Sequence, residues 1–220
     1  MPFHFLGTQI FCLTLMGKKK QSSRGYSKRK QNTRQRKQRF IIICEGKETE
    51  PNYFRSFRVK TAQIYVKGFG KDPNQLLKEA NKLLKKEKQA KRWEKGDQVW
   101  CVFDRDSWKE EDFNKAIADA EREGFRLAYS NPKFEFWFLL HYQYIDTAIS
   151  GEECDKKLSK LLGYEYKKND PEMYEKLFNK KEKAIKNAER LCDEHDHGNP
   201  AKENPSTTVH QLVQELNKYM

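Results

Sequence analysis

The sequence predicts an α/β fold: a mostly parallel four-stranded sheet flanked by helices, with a helical elaboration at the C-terminal end. Three observations carry this. Short continuous apolar runs recur at Phe40–Cys44 and Gln98–Phe103, as strands covered on both faces require. Segments with a 3.6-residue apolar period separate the runs. Strands alternating with helices imply parallel pairing through right-handed crossovers.

The first strand is Phe40-Ile41-Ile42-Ile43-Cys44, stopped by Glu45-Gly46. Glu50-Pro51 opens a helix to about Val59, because proline is tolerated in a first turn. Ala62 to Val66 reads as the second strand, followed by a turn with Gly68 and Gly70. Asp72-Pro73 starts a helix to about Trp93, with Leu76, Leu77, Ala80, Leu83 and Leu84 on one stripe. Gln98 to Phe103 is the third strand and ends at Asp104-Arg105-Asp106. Glu111 to Glu123 is a helix with Phe113, Ile117 and Ala120 inward, stopped by Gly124. Phe125 to Tyr129 is the fourth strand, and Lys133 to Tyr142 a helix. Beyond Tyr144 the pattern turns helical, at about 151–162, 171–194 and 206–219, with Val209, Leu212, Val213 and Leu216 on the last stripe. Three regions follow: an extension over 1–38, an α/β domain over 39–144, and a helical extension over 145–220 packed on it.

Charge is distributed unevenly. Lys18, Lys19, Lys20, Arg24, Lys28, Arg29, Lys30, Arg34, Arg36, Lys37 and Arg39 form a run with no acid, whereas Phe40 to Met220 holds 33 basic and 32 acidic residues. The run reads either as a disordered phosphate-binding arm for DNA or RNA or as a solubilising leader. Residues 1–15 are apolar but lack the basic n-region and small-residue cleavage site of a signal peptide. Met16-Gly-Lys-Lys-Lys reads as a more natural start, so 1–15 is expected to be an upstream extension or a start-site error. Five cysteines without a CxxC pair argue against a disulfide framework or zinc ribbon; Cys44 and Cys101 read as buried thiols in a reducing cytoplasm. No apolar run reaches the roughly 20 residues of a membrane helix, so no membrane partner is expected.

Ligands of an open parallel sheet bind beyond the carboxyl ends of its strands. There the sequence places Glu45-Gly46-Lys47-Glu48-Thr49-Glu50, Asp104-Arg105-Asp106 and Ser130-Asn131-Pro132, with Glu135 one turn further. Carboxylates converging in a small volume need a cation or raised pKa values. Oxygen ligands suit Mg²⁺ or Mn²⁺, as one or two ions, with substrate phosphate completing the shell. Glu45, Asp104 and Asp106 are the expected ligands, with Glu48 and Glu50 close by, and Lys47 or Arg105 the expected cation at the scissile phosphate. Each acid has an alternative role as a helix cap or first-turn acid. Asn131 and Glu135, four apart, are expected on one helix face beside this rim, positioning ligands or belonging to a buried polar network. His141 reads as orienting a carboxylate or phosphate, or as a satisfied core histidine. His195 and His197 beside Asp193, Glu194 and Asp196 form a weak metal patch or a solvated helix end.

This constellation resembles the Toprim fold of topoisomerases, bacterial primases and OLD-family nucleases, in which a Glu follows the first strand and a DxD follows the third. The resemblance carries over to Glu45, Asp104 and Asp106, and implies a Toprim/Rossmann-like sheet. A second acid of the OLD type would match Glu50 after Thr49, with Glu48 competing because the spacer is one residue longer. The strings Ile43-Cys44-Glu45-Gly46-Lys47-Glu48-Thr49-Glu50-Pro51-Asn52-Tyr53-Phe54 and Ser130-Asn131-Pro132-Lys133-Phe134-Glu135-Phe136-Trp137-Phe138-Leu139-Leu140-His141 are similar to RloB-like (AbiLii-type) proteins. So are Val102 to Asp106 and Asn204-Pro205-Ser206-Thr207, over about residues 39–219. The resemblance implies a metal-dependent nuclease effector of phage defence, tied to restriction loci and abortive infection, with an ATPase partner. The competing expectation is a non-catalytic scaffold binding nucleic acid or that ATPase. A primase-like polymerase ranks last. No Walker A sequence is present, so ATP hydrolysis by the chain itself is not expected.

Overall fold

The computed structural model describes residues 36–70, 73–106, 108–196 and 198–220. Much of the basic run, residues 1–15, Ser107 and His197 lie outside the described residues.

Thirteen elements follow in chain order: β1 (Gln38–Cys44), α1 (Thr49–Arg55), β2 (Ala62–Gly68), α2 (Pro73–Gln89), β3 (Gln98–Asp104), α3 (Glu110–Arg122), β4 (Arg126–Asn131), α4 (Glu135–Leu140), α5 (Gly151–Leu162), α6 (Met173–Phe178), α7 (Lys181–Asp193), β5 (Ser206–Thr207) and α8 (Val209–Asn217). The sheet order is β2-β1-β3-β4-β5. The first four strands are parallel, with Ile42 opposite Val66 and Trp100, and Val102 opposite Ala128. The expected α/β class is what the chain adopts.

The two central strands divide the core by the alternation of their side chains. Phe40, Ile42 and Cys44 join Trp100, Val102 and the apolar faces of α1 and α4–α8. Ile41 and Ile43 join Val99, Cys101 and Phe103 under α2 and α3. That is why β1 and β3 are uninterrupted apolar runs: both faces are covered. Arg36–Met220 forms one compact unit. Cys44, Cys101 and Cys154 are buried free thiols, and Cys192 is half-buried.

Several elements differ from expectation. The sheet has a fifth strand, antiparallel and two residues long, pairing Thr207 with Ser130 and Ser206 with Asn131. Its hydroxyls hold it there: Thr207 Oγ1 donates to the Tyr129 carbonyl at 3.1 Å, and the Tyr129 N–H donates to Thr208 Oγ1 at 2.9 Å. The last helix therefore begins at Val209, not at 206. α1 stops at Arg55 because Phe57 turns into a ring cluster with Tyr53, Phe54 and Tyr174. α2 stops at Gln89, and Lys91 (φ 52°) reverses the chain before Trp93. The helix expected over 171–194 breaks at Asn179-Lys180. After that break the half-buried ammonium of Lys181 donates to Asn217 Oδ1 at 2.6 Å.

Candidate functional site

The carboxyl ends of β1 and β3 meet at an open cleft of about 340 Å³. Its walls include Glu45, Lys47, Glu48, Glu50, Asp104, Asp106, Glu135 and Lys168. The backbone sets this convergence. Glu45 continues the ladder, its N–H donating to the Val102 carbonyl at 2.8 Å while its own carbonyl accepts from Gly70 at 2.6 Å. On the other strand Arg105 and Asp106 are pinned through their N–H groups to the carbonyls of Ser130 and Pro132, both at 2.8 Å. Adjacent parallel strands thus deliver Glu45 and Asp104 to one point. The backbone N–H of Asp104 donates to Glu45 Oε2 at 3.2 Å, and the Trp108 indole donates to Glu45 Oε1 at 3.3 Å.

Glu50, 5% exposed, folds back from the first turn of α1 and accepts from the Gly46 N–H at 3.2 Å. A Cβ on Gly46 would overlap that carboxylate, so a larger residue there forces the Glu50 side chain out of its place. At Gly68 glycine is required, since a Cβ would overlap the backbone carbonyl of Gly46. Glu48 lines the cleft but is exposed at the helix entrance, so Glu50 is the buried member of the competing pair.

The electrostatics record the crowding. Burial pushes the Glu45 carboxyl up to about 7; the Asp104 N–H opposes this, and Glu50 and Asp106 add to it. Burial raises Asp104 well above the usual carboxylate range, with Glu50, Glu135 and Glu45 adding repulsion and the Phe134 N–H opposing. Burial likewise raises Glu50, with Glu135 adding to the rise while the Gly46 N–H and Lys168 oppose it. Asp104 Oδ1 is buried without a hydrogen-bond partner among the described residues. Such an atom is costly unless something else satisfies it.

Glu135, 3% exposed, is held differently. It accepts from the Tyr166 hydroxyl at 3.0 Å and lies 3.5 Å from the Lys133 ammonium. Lys133 also binds both oxygens of Asp155 at 2.9 Å. Burial works against the Lys133 charge, but Glu135 and Asp155 outweigh it and raise its pKa.

Other expected site residues lie elsewhere. Asn131 belongs to β4 rather than to the following helix, so it does not share a helix face with Glu135; its amide donates to the Pro200 and Ala201 carbonyls at 3.3 and 3.1 Å. His141 is fully buried against Trp137, its Nδ1 2.9 Å from the Trp137 carbonyl, and burial lowers its pKa to about 4. It is neutral at pH 7 and takes no part in the cleft. The Arg105 guanidinium is engaged by the Trp108 and Asp106 carbonyls, and does not line the cleft. His195 lies 2.9 Å from the Pro205 carbonyl and Glu194 accepts from Tyr144 and Arg190, so among the described residues of that group no metal patch is gathered; His197 lies outside them. Arg36 and Arg39 are in ion pairs with Glu94, Asp97 and Glu87 near the amino end of β1, the far rim from the cleft. Trp108, Lys133, Tyr166 and Lys168 were not anticipated. The only sequence signal for the last two is a break between helices, Gly163 to Pro171, that carries the pair Tyr164 and Tyr166.

Among the described residues no group of three or more His, Cys, Asp or Glu side chains is gathered closely enough to hold a metal ion as it stands. Nor is any described helix long and apolar enough to cross a membrane.

Fold and cleft together define an α/β protein with an acidic site at the carboxyl edge of a parallel sheet. The chain belongs to the RloB-like family, whose model, described as RloB-like protein, matches residues 40–216. No curated protein and no solved structure matches it.

Proposed function

We propose that this chain is a Toprim-like, metal-dependent nuclease that hydrolyses nucleic-acid phosphodiesters as the effector of a phage-defence system. The observation that carries the reading is the orphaned, buried Asp104 Oδ1 beside a Glu45 carboxyl held near neutrality. Mutually repelling carboxylates, one of whose oxygens is buried without a partner, fit a rim that binds a cation. Glu45, Asp104, Asp106 and Glu50 would hold Mg²⁺ or Mn²⁺. Such an ion keeps several waters and takes phosphate oxygens as ligands, so few protein oxygens are needed. When bound, the ion supplies positive charge to the phosphate and acidity to the attacking water.

The chain's own residues do the remainder. Trp108 and the Asp104 N–H fix the Glu45 carboxylate, and Gly46 admits Glu50 to the same side. Lys47 in the cleft places a cation near the scissile phosphate. Among the described residues no tyrosine lines the cleft, and the Tyr166 hydroxyl behind its wall is spent on Glu135, which favours hydrolysis over strand transfer. The family resemblance supports the defence role and an ATPase partner.

A second reading, a non-catalytic scaffold for nucleic acid or an ATPase, draws on the shortage of a ready metal cluster among the described residues. Incubation of plasmid DNA and total tRNA with Mn²⁺ or EDTA separates the two. Metal-dependent products, lost in Glu45→Ala and Asp104→Ala, are the expected result. Full activity in the double variant with added Mg²⁺ rejects the nuclease, and tight binding without products in every condition establishes the scaffold.

A further inference from the structure

The loop joining α5 to α6 brings to the cleft a cation that the strand-end motifs do not contain. α5 ends at Gly163, whose φ of 80° turns the chain back. Three hydrogen bonds then fix its path over the rim. The Tyr166 N–H donates to Ser159 Oγ at 2.9 Å, the Tyr166 hydroxyl to Glu135 at 3.0 Å, and the Thr49 hydroxyl to the Lys168 carbonyl at 2.6 Å. Asp170 closes the loop by accepting from Tyr164 at 3.1 Å and Lys176 at 2.9 Å.

Lys168 is therefore fixed through its backbone while its side chain is exposed in the cleft wall. Among the described residues its ammonium has no ion-pair or hydrogen-bond partner. Neighbouring cations are committed: Lys133 to Asp155 and Glu135, Arg105 to two carbonyls. An ordered loop presenting an unspent ammonium next to buried acids meets the needs of a phosphate-binding position. The backbone's ordering entropy is already lost in the free protein, and the ammonium, which acts on Glu50 only at a distance, has no ion pair to break.

We propose that Lys168 is a substrate-contacting residue whose ammonium takes non-bridging oxygens of the phosphodiester bound over Glu45 and Asp104, with Lys47 as the cleft's other lysine. Its catalytic part rests on the nuclease reading; its phosphate-binding part does not. In hydrolysis the water oxygen forms the new bond to phosphorus and the bond to one nucleoside oxygen breaks. One water proton ends on that leaving oxygen, and Lys168 stays protonated throughout, offsetting charge on the non-bridging oxygens.

The test uses the full chain with a 30-nucleotide single-stranded DNA and its RNA counterpart. In EDTA, binding is titrated against salt. Lys168→Gln is expected to lower the slope of log K against log salt by about 0.7, one phosphate contact on a single strand, and Lys168→Arg to keep it. In Mn²⁺, Lys168→Gln is expected to lose about 100-fold in kcat/KM, mostly in kcat, with part returned by Lys168→Arg. An unchanged slope with unchanged kcat/KM overturns the assignment. Wild-type chain no more active than Asp104→Ala, yet with a slope that falls in Lys168→Gln, sinks the nuclease reading and upholds the phosphate contact. No binding of either strand by the wild type overturns the assignment as well.

Discussion

The two rims of the sheet carry charge in opposite ways. At the amino end of β1, Glu87, Glu94 and Asp97 each have a cation. Glu87 meets Arg39 at 2.5 Å and Arg92 at 2.7 Å, and Asp97 accepts from Arg36 at 2.9 Å and from two backbone N–H groups. Glu87 accordingly titrates below its usual range despite some burial, because Arg92 and Arg39 bind it. At the carboxyl end, Glu45, Glu50 and Asp104 face one another, and all three titrate high. The first rim uses charge to hold the chain together. The second holds charge at a cost to the fold, and such sites are where function is concentrated.

The largest effects should follow from altering the unpaired rim. Asp104→Asn keeps the shape of the side chain and removes one repelling charge. Cleavage is expected to fall by at least about 10³-fold, while the metal-free protein unfolds at the same or higher temperature. Loss of both activity and stability would make Asp104 an ordinary structural acid and erase the contrast. Gly46→Ala comes next. Its Cβ would collide with the Glu50 carboxylate, and we expect a loss on the order of 1–3 kcal/mol in chemical denaturation together with lost cleavage. Gly124→Ala, with φ 75° but nothing within 4 Å of the added carbon, isolates the backbone strain alone, about 1 kcal/mol.

Much of the unpaired rim was legible in the sequence. Continuous apolar runs identify β1 and β3, and residues just past parallel strands must converge, so Glu45 and Asp104 could be paired across 59 positions. What could not be read depends on contacts without period. β5 is two residues long and exists because Thr207 and Thr208 satisfy Tyr129, a hydroxyl arrangement that leaves no alternation to detect. Asn131 and His141 stand in a motif beside the cleft residues, but one residue of strand instead of helix turns Asn131 toward Pro200. Likewise Trp137 holds His141 in the core. Lys168 reaches the cleft, and Tyr166 reaches Glu135, only through loop geometry. For Arg36 and Arg39, sequence shows a run of like charge; their partners lie 48 or more residues away.

Titration gives a smaller, graded test. The folded pKa of Glu45 is about 7 against an ordinary 4.5, so between those values the folded chain keeps a proton that the unfolded chain has released. The Glu45 contribution to the stability of the metal-free protein must then fall as pH rises through that window and level off above about 7. The Glu45 share is on the order of 3 kcal/mol, and Asp104 and Glu50 act in the same direction. Melting temperatures in EDTA should decline from pH 5 to 7.5, and Glu45→Gln should flatten the decline. Mn²⁺ should raise the melting temperature more at pH 8 than at pH 5.5, because ligands must be deprotonated to bind it. A profile rising with pH in EDTA would mean that the rim's acids are paired after all.

The smallest effect is expected where charge is already matched. Arg39→Gln leaves Glu87 still bound by Arg92, so losing the half-buried Arg39–Glu87 pair is expected to cost about 1 kcal/mol. Denaturation should shift by that amount and cleavage rates should not change. The salt slope for nucleic-acid binding should also stay constant, because the Arg39 guanidinium is satisfied by Glu87 and the Arg92 carbonyl. A slope reduced by about 0.7–0.9 would show that nucleic acid outcompetes Glu87 for Arg39. In that case the amino rim would belong to the substrate surface, and the contrast between a structural rim and a functional one would give way to a single basic track leading toward the acids.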